Sequence, residues 1–257
     1  MKTEKNRKEF IENFGKSHSK ITTNTFDNHL DIVEHIDNCF FKFMILSNRI
    51  RDNAKESIKE LYLLAYTTSI ANNFLVIKQL FATGFHFQME IIERTQLEQL
   101  NNLLTMIYDD EFFQYFTKTG LRNNDDFIPL TPKEKHLTKA LKKIQFKNQK
   151  FDKLFREYYD SMQEPYEEFS KSVHGNLMHI LLLTDESNRD DEPMYFNLGG
   201  KENFIPRSIN FLVCLLDYSQ VIWFLIEEKY PKVENEEKLG NVKLLKYVSL
   251  SKKYSNL

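Results

Sequence analysis

Apolar residues recur at steps of three and four along most of this chain, the spacing of a helix face packed on a core. Ile32, Ile36, Cys39, Phe43 and Leu46 keep it and predict a helix over Asp27–Arg51. Ile58, Leu61, Tyr62, Ala65, Ile70, Phe74, Ile77 and Phe81 predict a second over Ala54–Ala82. Gly84 then interrupts before a third, Phe85–Tyr108, and Asp109 and Asp110 are suited to cap a short helix over Glu111–Lys118, ended by Gly120. Thr131-Pro132-Lys133-Glu134 has the residues of a helix start, with Thr as cap, Pro at the first helical position and Glu behind it, and opens a helix that runs to about Tyr159. The most apolar run, Phe211–Ile226, carries Asp217, Ser219 and Gln220, falls short of a membrane span, and reads as a core helix within Pro206–Lys229. A short amphipathic helix over Thr3–Phe14 and a polar link over Gly15–Thr25 complete the N-terminal end.

The expected fold is therefore all-α, a multi-helix bundle with at most one small hairpin near Met194–Leu198. Its expected organisation is an N-terminal helix and link over residues 1–25, one helical-bundle domain over 26–230, and a charged tail over 231–257. Composition agrees: seven Gly and six Pro in 257 residues are too few for the turns of a sandwich or barrel. With 22 Phe and 12 Tyr, the core should be aromatic. Cys39 and Cys214 lie inside apolar helical patterns without ligand spacing, which fits buried thiols of a cytoplasmic protein, and the charged start after Met1 is no secretory signal.

A net charge of −2 gives no global attraction for nucleic acid, but the average conceals two patches. Lys133 to Lys153 holds eight lysines against Glu134 and Asp152, and Asp185 to Glu192 holds five acids against Arg189. In one straight helix, Lys135, Lys139, Lys142, Lys143, Lys147 and Lys150 fall within about 140° of arc, opposite Leu137, Leu141 and Ile144. That face is a candidate phosphate-backbone contact. The competing reading is an ordinary solvated face, favoured by the scarcity of Arg.

On the third helix, His86, Glu90, Arg94 and Glu98 stand four residues apart. Their apolar neighbours predict that Arg94 is less than half exposed and paired with a carboxylate, Glu90 or Glu98 locally or Asp217 at long range, making the stripe either a structural lock or a site. The segment Tyr166–Gly175 combines an apolar wall with Ser170, Lys171 and His174, and a histidine there can act as general acid or base or merely cap a helix end. Asp31 and His35 stand four apart, as do His86 and Glu90, but no Glu-x-x-His pair, phosphate-binding loop, dinucleotide fingerprint or nucleophile elbow occurs, so no metal or cofactor is expected.

Read together, Ile92-Glu-Arg94-Thr-Gln-Leu-Glu98 and Tyr166-Glu-Glu-Phe-Ser170-Lys-Ser-Val-His174-Gly175 resemble a bacterial family of helical proteins related to the HEPN superfamily, over about residues 54–183. The resemblance implies a helical bundle, dimerisation or a cognate partner protein, and a place in phage defence or a toxin–antitoxin pair, with RNA as the target. Active ribonucleases of that superfamily carry Arg, four to six residues, then His. Here the required positions hold Phe169, Glu168 and Glu167, so that pair is not intact. If RNA is cut without metal, the resemblance implies His174 as acid/base and Arg94 or Lys171 as the phosphate-stabilising cation, beside Glu98 and Ser170. The rival expectations are a non-catalytic interaction module and a helical pocket for a small molecule.

Overall fold

The computed structural model describes residues 2–53, 57–120, 134–163, 166–167, 206–231 and 249–254. In chain order the helices are α1 (Lys2–Asn53), α2 (Ile58–Thr83), α3 (His86–Tyr108), α4 (Asp110–Gly120), α5 (Glu134–Lys143), α6 (Gln149–Ser161), α7 (Pro206–Glu227) and α8 (Ser251–Tyr254). The protein is an all-α multi-helix bundle, and no strand occurs among the described residues. The hairpin expected at Met194–Leu198 lies outside them.

Four helices form the central bundle, and their pairings give the directions. Phe43 packs on Phe74 with ring centroids 5.9 Å apart, and Lys78 pairs with Asp37 at 2.6 Å, so α1 and α2 run antiparallel. Asn73 donates to Gln96 at 3.0 Å, and Ser69 bonds Gln99, so α2 and α3 are antiparallel as well. Ser208 donates to Glu90 at 2.6 Å, Tyr218 to Asn101, and Tyr108 to the Leu225 carbonyl at 2.6 Å, which sets α7 parallel to α3. On its other side α7 runs parallel to α1, through Lys42–Gln220 at 3.3 Å and Arg49–Glu227 at 2.9 Å. Trp223 fills that seam: its indole donates to the Lys42 carbonyl, and its ring lies 5.3 Å from both the Lys42 ammonium and the Arg49 guanidinium. Cations on an aromatic face lose less on burial than bare charges. Burial still depresses the Lys42 pKa, against smaller opposing effects of Cys39 and Glu227.

Local chemistry explains several helix ends. Ser57 accepts from the Glu60 amide and starts α2. Gly84 ends it in the left-handed conformation (φ 74°), where a side chain would be strained, with its N–H on the Leu80 and Phe81 carbonyls. Asp109 accepts from the Phe112 amide and starts α4.

Two expectations change. The polar link over 15–25 is helical, and α1 is two helical stretches that meet at a kink at His29, whose backbone is not helical. Ile21 and Thr25, one turn apart, are both buried, and Thr22 and Thr23 donate to the carbonyls of His18 and Ser19 instead of breaking the helix. The expected lysine helix, in turn, is two helices joined over 144–148. Asn148 caps α6 by accepting from the Phe151 amide, and the amides of Lys147 and Asn148 bond Glu228. Arg156 reaches back from α6 to the Leu141 and Ile144 carbonyls at 2.9 and 2.6 Å, satisfying the exposed end of α5. The core explains why the break occurs. In a straight helix Phe146 would stand about 20° from Lys135, amid the lysines. The break instead buries it between Tyr108 and Phe155, with centroids 5.0 and 5.4 Å away.

Helix α7 is long and apolar enough to cross a membrane by length and composition alone, but 83% of that window is buried inside the bundle.

Candidate functional site

The candidate site is built on α3, whose faces have different partners. Gln96 looks toward α2, accepting from Asn73 and donating to the Ile70 carbonyl at 3.2 Å. Glu90 looks toward α7 and accepts from Ser208. Arg94 and Glu98, one turn apart, lie at the edge of the packed region with side chains 21% and 27% exposed. The stripe His86–Glu90–Arg94–Glu98 is therefore no continuous ladder: Glu90 is drawn into the α3–α7 seam, and Arg94 pairs with Glu98 at 3.2 Å. Of the expected partners for Arg94, Glu98 is the one found. Asp217 is engaged elsewhere, as acceptor for Tyr158, Ser249, Leu250 and Ser251.

Tyr166 completes the cluster. Its hydroxyl donates to Glu98 at 2.7 Å, and its ring lies 5.3 Å from the Arg94 guanidinium carbon. Burial pushes the Tyr166 phenol up to about 12, reinforced by the hydrogen bond to Glu98 and opposed by Arg94. It therefore stays a donor at neutral pH. Tyr166 is the first residue of the segment that carries Ser170, Lys171 and His174, which themselves lie outside the described residues. Sequence reasoning placed Tyr166 on an apolar wall and missed its polar end; a tyrosine opening that segment, with a carboxylate on a partner helix, was the available signal.

A Tyr166→Phe variant should lose about 1 kcal/mol of stability, the usual net worth of such a hydrogen bond. Arg94→Ala should cost more than Glu98→Ala, because it leaves Glu98 without a cation and removes the partner of the Tyr166 ring. Urea denaturation of the three variants checks the order, and a loss in Glu98→Ala as large as in Arg94→Ala would overturn it.

Just inside this edge is Glu93, fully buried, with neither carboxyl oxygen hydrogen-bonded among the described residues. Burial raises its pKa well above the ordinary value, and neighbouring Glu90 adds to the rise. Burial thus favours the neutral, protonated form of this carboxyl.

The lysine face is distributed differently from its expected single arc. Lys139, Lys142, Lys143, Lys147 and Lys150 are all exposed, while the Lys135 side chain lies outside the described residues. Because the helix breaks, Lys139, Lys142 and Lys143 belong to α5, Lys147 to the connection and Lys150 to α6. Lys139 and Lys143 also line a groove of about 230 Å³ against α4, with Asp109, Glu111 and Tyr115 on its other wall. Acidic neighbours reduce the pull of those two lysines on a phosphate. Among the described residues, no group of three His, Cys, Asp or Glu side chains converges as a metal site would require.

These observations define a helical bundle with a tyrosine-covered Arg–Glu pair at its edge. The chain matches no family model, no curated protein and no solved structure.

Proposed function

We propose that this is an HEPN-like helical protein directed at RNA, acting in the bacterial cytoplasm in phage defence or as part of a toxin–antitoxin pair. The observation that supports the reading is the contact of Tyr166 with both Arg94 and Glu98, since it ties the segment bearing His174 to the helix bearing Arg94. In this reading His174 moves the proton of the attacking or leaving oxygen, with Ser170 beside it, and Arg94 or Lys171 offsets the phosphate charge. Arg94 thereby takes the part of the arginine missing from positions 167–169. The exposed lysines of α5 and α6 supply affinity for the backbone without reading sequence.

A second reading has its own observation. Glu98 neutralises Arg94 and Tyr166 covers it, an arrangement that suits a structural lock in a non-catalytic docking module.

The deciding experiment is RNA integrity in cells expressing the wild type, His174→Ala or Arg94→Ala. The ribonuclease reading expects degraded RNA with the wild type and intact RNA with both variants at equal protein levels. Intact RNA throughout, or equal degradation by His174→Ala, rejects it in favour of the docking module. Binding of a short RNA across a salt series tests the lysines separately. Lys139→Gln, Lys142→Gln, Lys143→Gln and Lys150→Gln combined should lower affinity and flatten the slope of log K against log salt by about one unit per lost phosphate contact. Equal weak binding by wild type and variant would leave a solvated face.

A further inference from the structure

The kink in α1 has no local cause. Its backbone leaves the helical region at His29, with φ −134° and ψ 33°. Sharp bends in helices usually come from proline, from glycine or serine, or from a group inserted into the ladder. From Ile21 to Phe43 the chain holds no proline, glycine or serine. The bend is therefore set by what packs around it, and three elements meet there. The His29 ring lies edge-on to Phe81 near the end of α2, with centroids 5.9 Å apart. The C-terminal segment reaches Asp31, two residues further on, through Lys253 at 2.5 Å and the Tyr254 hydroxyl at 2.9 Å. Within α1, His35 Nδ1 donates to the Asp31 carbonyl at 2.8 Å.

Ahead of the bend, residues 2–28 form an arm about 40 Å long at 1.5 Å per residue. Its hold on the bundle is slight. Ile21 and Thr25 are buried near its base, and the His18 ring lies 6.3 Å from Phe85. Of the side chains described between Lys8 and Lys20, only that of His18 is not exposed. An element with so few buried contacts opens more readily than the core it leans on. The C-terminal segment is also held unevenly. Its inner end has five bonds to the buried Asp217, from Tyr158, Ser249, Leu250 and Ser251. Its outer end rests on Asp31, 29% exposed, through a Lys253 side chain that is 65% exposed. Exposed ion pairs hold weakly, so the outer end is where opening begins.

We infer that the outer end of the C-terminal segment is a pH-sensitive latch on the α1 bend: Lys253 and Tyr254 on Asp31 keep the arm docked, and a proton taken up by His29 opens the latch and frees the arm. The charges facing His29 are Asp31 from its own helix and Lys253 from the C-terminal segment. From α2 it meets the uncharged Phe81, and Lys78, one turn before that ring, is paired with Asp37. An imidazolium here would repel the Lys253 ammonium and compete with it for Asp31. Burial lowers the His29 pKa, an effect that Asp31 opposes and Lys253 reinforces. The latched state is thus at full strength above the free histidine value of about 6.5 and weakens as pH falls below it. The latch links the two ends of the chain and is independent of both readings of function.

The test is the distance between spin labels on Lys16→Cys in the arm and Val76→Cys on α2, both exposed positions, measured by double electron–electron resonance from about pH 7.5 to about pH 5. The native thiols compete little, since burial pushes Cys39 up to about 12 and Cys214 up to about 11. The wild type should give one narrow distance at the upper pH. A second, broader population should then appear, its ratio to the first growing by up to about tenfold per pH unit below about 6.5. Lys253→Ala combined with Tyr254→Phe should show the broad population already at the upper pH, with unchanged helical circular dichroism. In His29→Phe and His29→Gln, whichever state each favours, the ratio should not change with pH. A wild type with one narrow distance at every pH, or a Lys253→Ala, Tyr254→Phe variant that matches the wild type throughout, overturns the latch. A pH transition that persists in both His29 variants overturns His29 as its trigger.

Discussion

Replacing Asp217 with alanine is expected to destabilise the protein by about 3–5 kcal/mol, the largest effect of any single substitution considered. Asp217 is fully buried in α7 and gathers donors from two separate places. From α6 comes the Tyr158 hydroxyl at 2.9 Å. From the C-terminal segment come the Ser249 hydroxyl, the Leu250 amide, and both the amide and hydroxyl of Ser251, all between 2.7 and 3.0 Å. The carboxylate thus anchors the start of α8, where a negative group also suits the helix dipole. Alanine would leave two backbone N–H groups and three hydroxyls without their acceptor, and water reaches such a site only if the segment detaches. The far end of the segment has a second anchor on α1, where Lys253 and Tyr254 bond Asp31 at 2.5 and 2.9 Å. Burial alone would raise the Asp31 pKa, but these two partners bring it below the ordinary value. Hydrogen exchange reads the predicted detachment directly: the Leu250 and Ser251 amides should lose protection in Asp217→Ala while the α1–α2 core keeps it. Undiminished protection at those two amides would show that apolar packing of Leu250 and Tyr254 holds the segment instead.

The second large effect has the opposite sign. Glu93→Met should stabilise the protein at pH 7, by on the order of 2–3 kcal/mol, because it replaces a carboxyl buried without a hydrogen bond by an apolar side chain of similar length. The gain must depend on pH. Burial first, and Glu90 second, raise the folded-state pKa of Glu93 well above the ordinary 4.5. A group with a raised folded pKa favours folding fully below its unfolded pKa and loses that contribution as pH rises through the folded value. Wild-type stability relative to Glu93→Met should therefore be highest near pH 4 and begin to fall above about 4.5. The slope approaches about 1.4 kcal/mol per pH unit, and the difference levels off once the folded group ionises. Urea denaturation from pH 4 to 8 on both proteins measures the slope. A constant difference across that range would mean that Glu93 finds a counter-charge on folding. The same variant bears on function, since a carboxyl kept at such a cost beside the Arg94–Glu98 pair is where stability and activity would be expected to conflict.

Much of the architecture could be read before any coordinates, for a local reason. Periodicity, caps and breakers act within one or two turns, so α2, α3, α4 and α7 fall close to their expected bounds, with Gly84 and Asp109 at the expected junctions. The link over 15–25 was misread because Ser and Thr are ambiguous: their hydroxyls can compete with a helix or bond back along it, and burial of Ile21 and Thr25 decides for the latter. The break in the lysine helix had a visible signal in Phe146, which no straight helix could place with Leu141 and Ile144. Its stabilisation did not, because Arg156 and Glu228 act through carbonyls and amides far from them in sequence.

For the candidate site, helical spacing and apolar neighbours predicted that Arg94 would be shielded and paired with a carboxylate, and left Glu90, Glu98 and Asp217 as candidates, of which Glu98 is the partner. That Tyr166 covers this pair, that Asp217 serves the C-terminal segment and not Arg94, and that Glu93 is sealed with no hydrogen-bond partner among the described residues were matters of tertiary packing. So was the exposure of α2, whose apolar pattern reads the same whether its outer face is enclosed or bare. A helix's period states which residues share a face, and only the arrangement of its neighbours determines which face is covered.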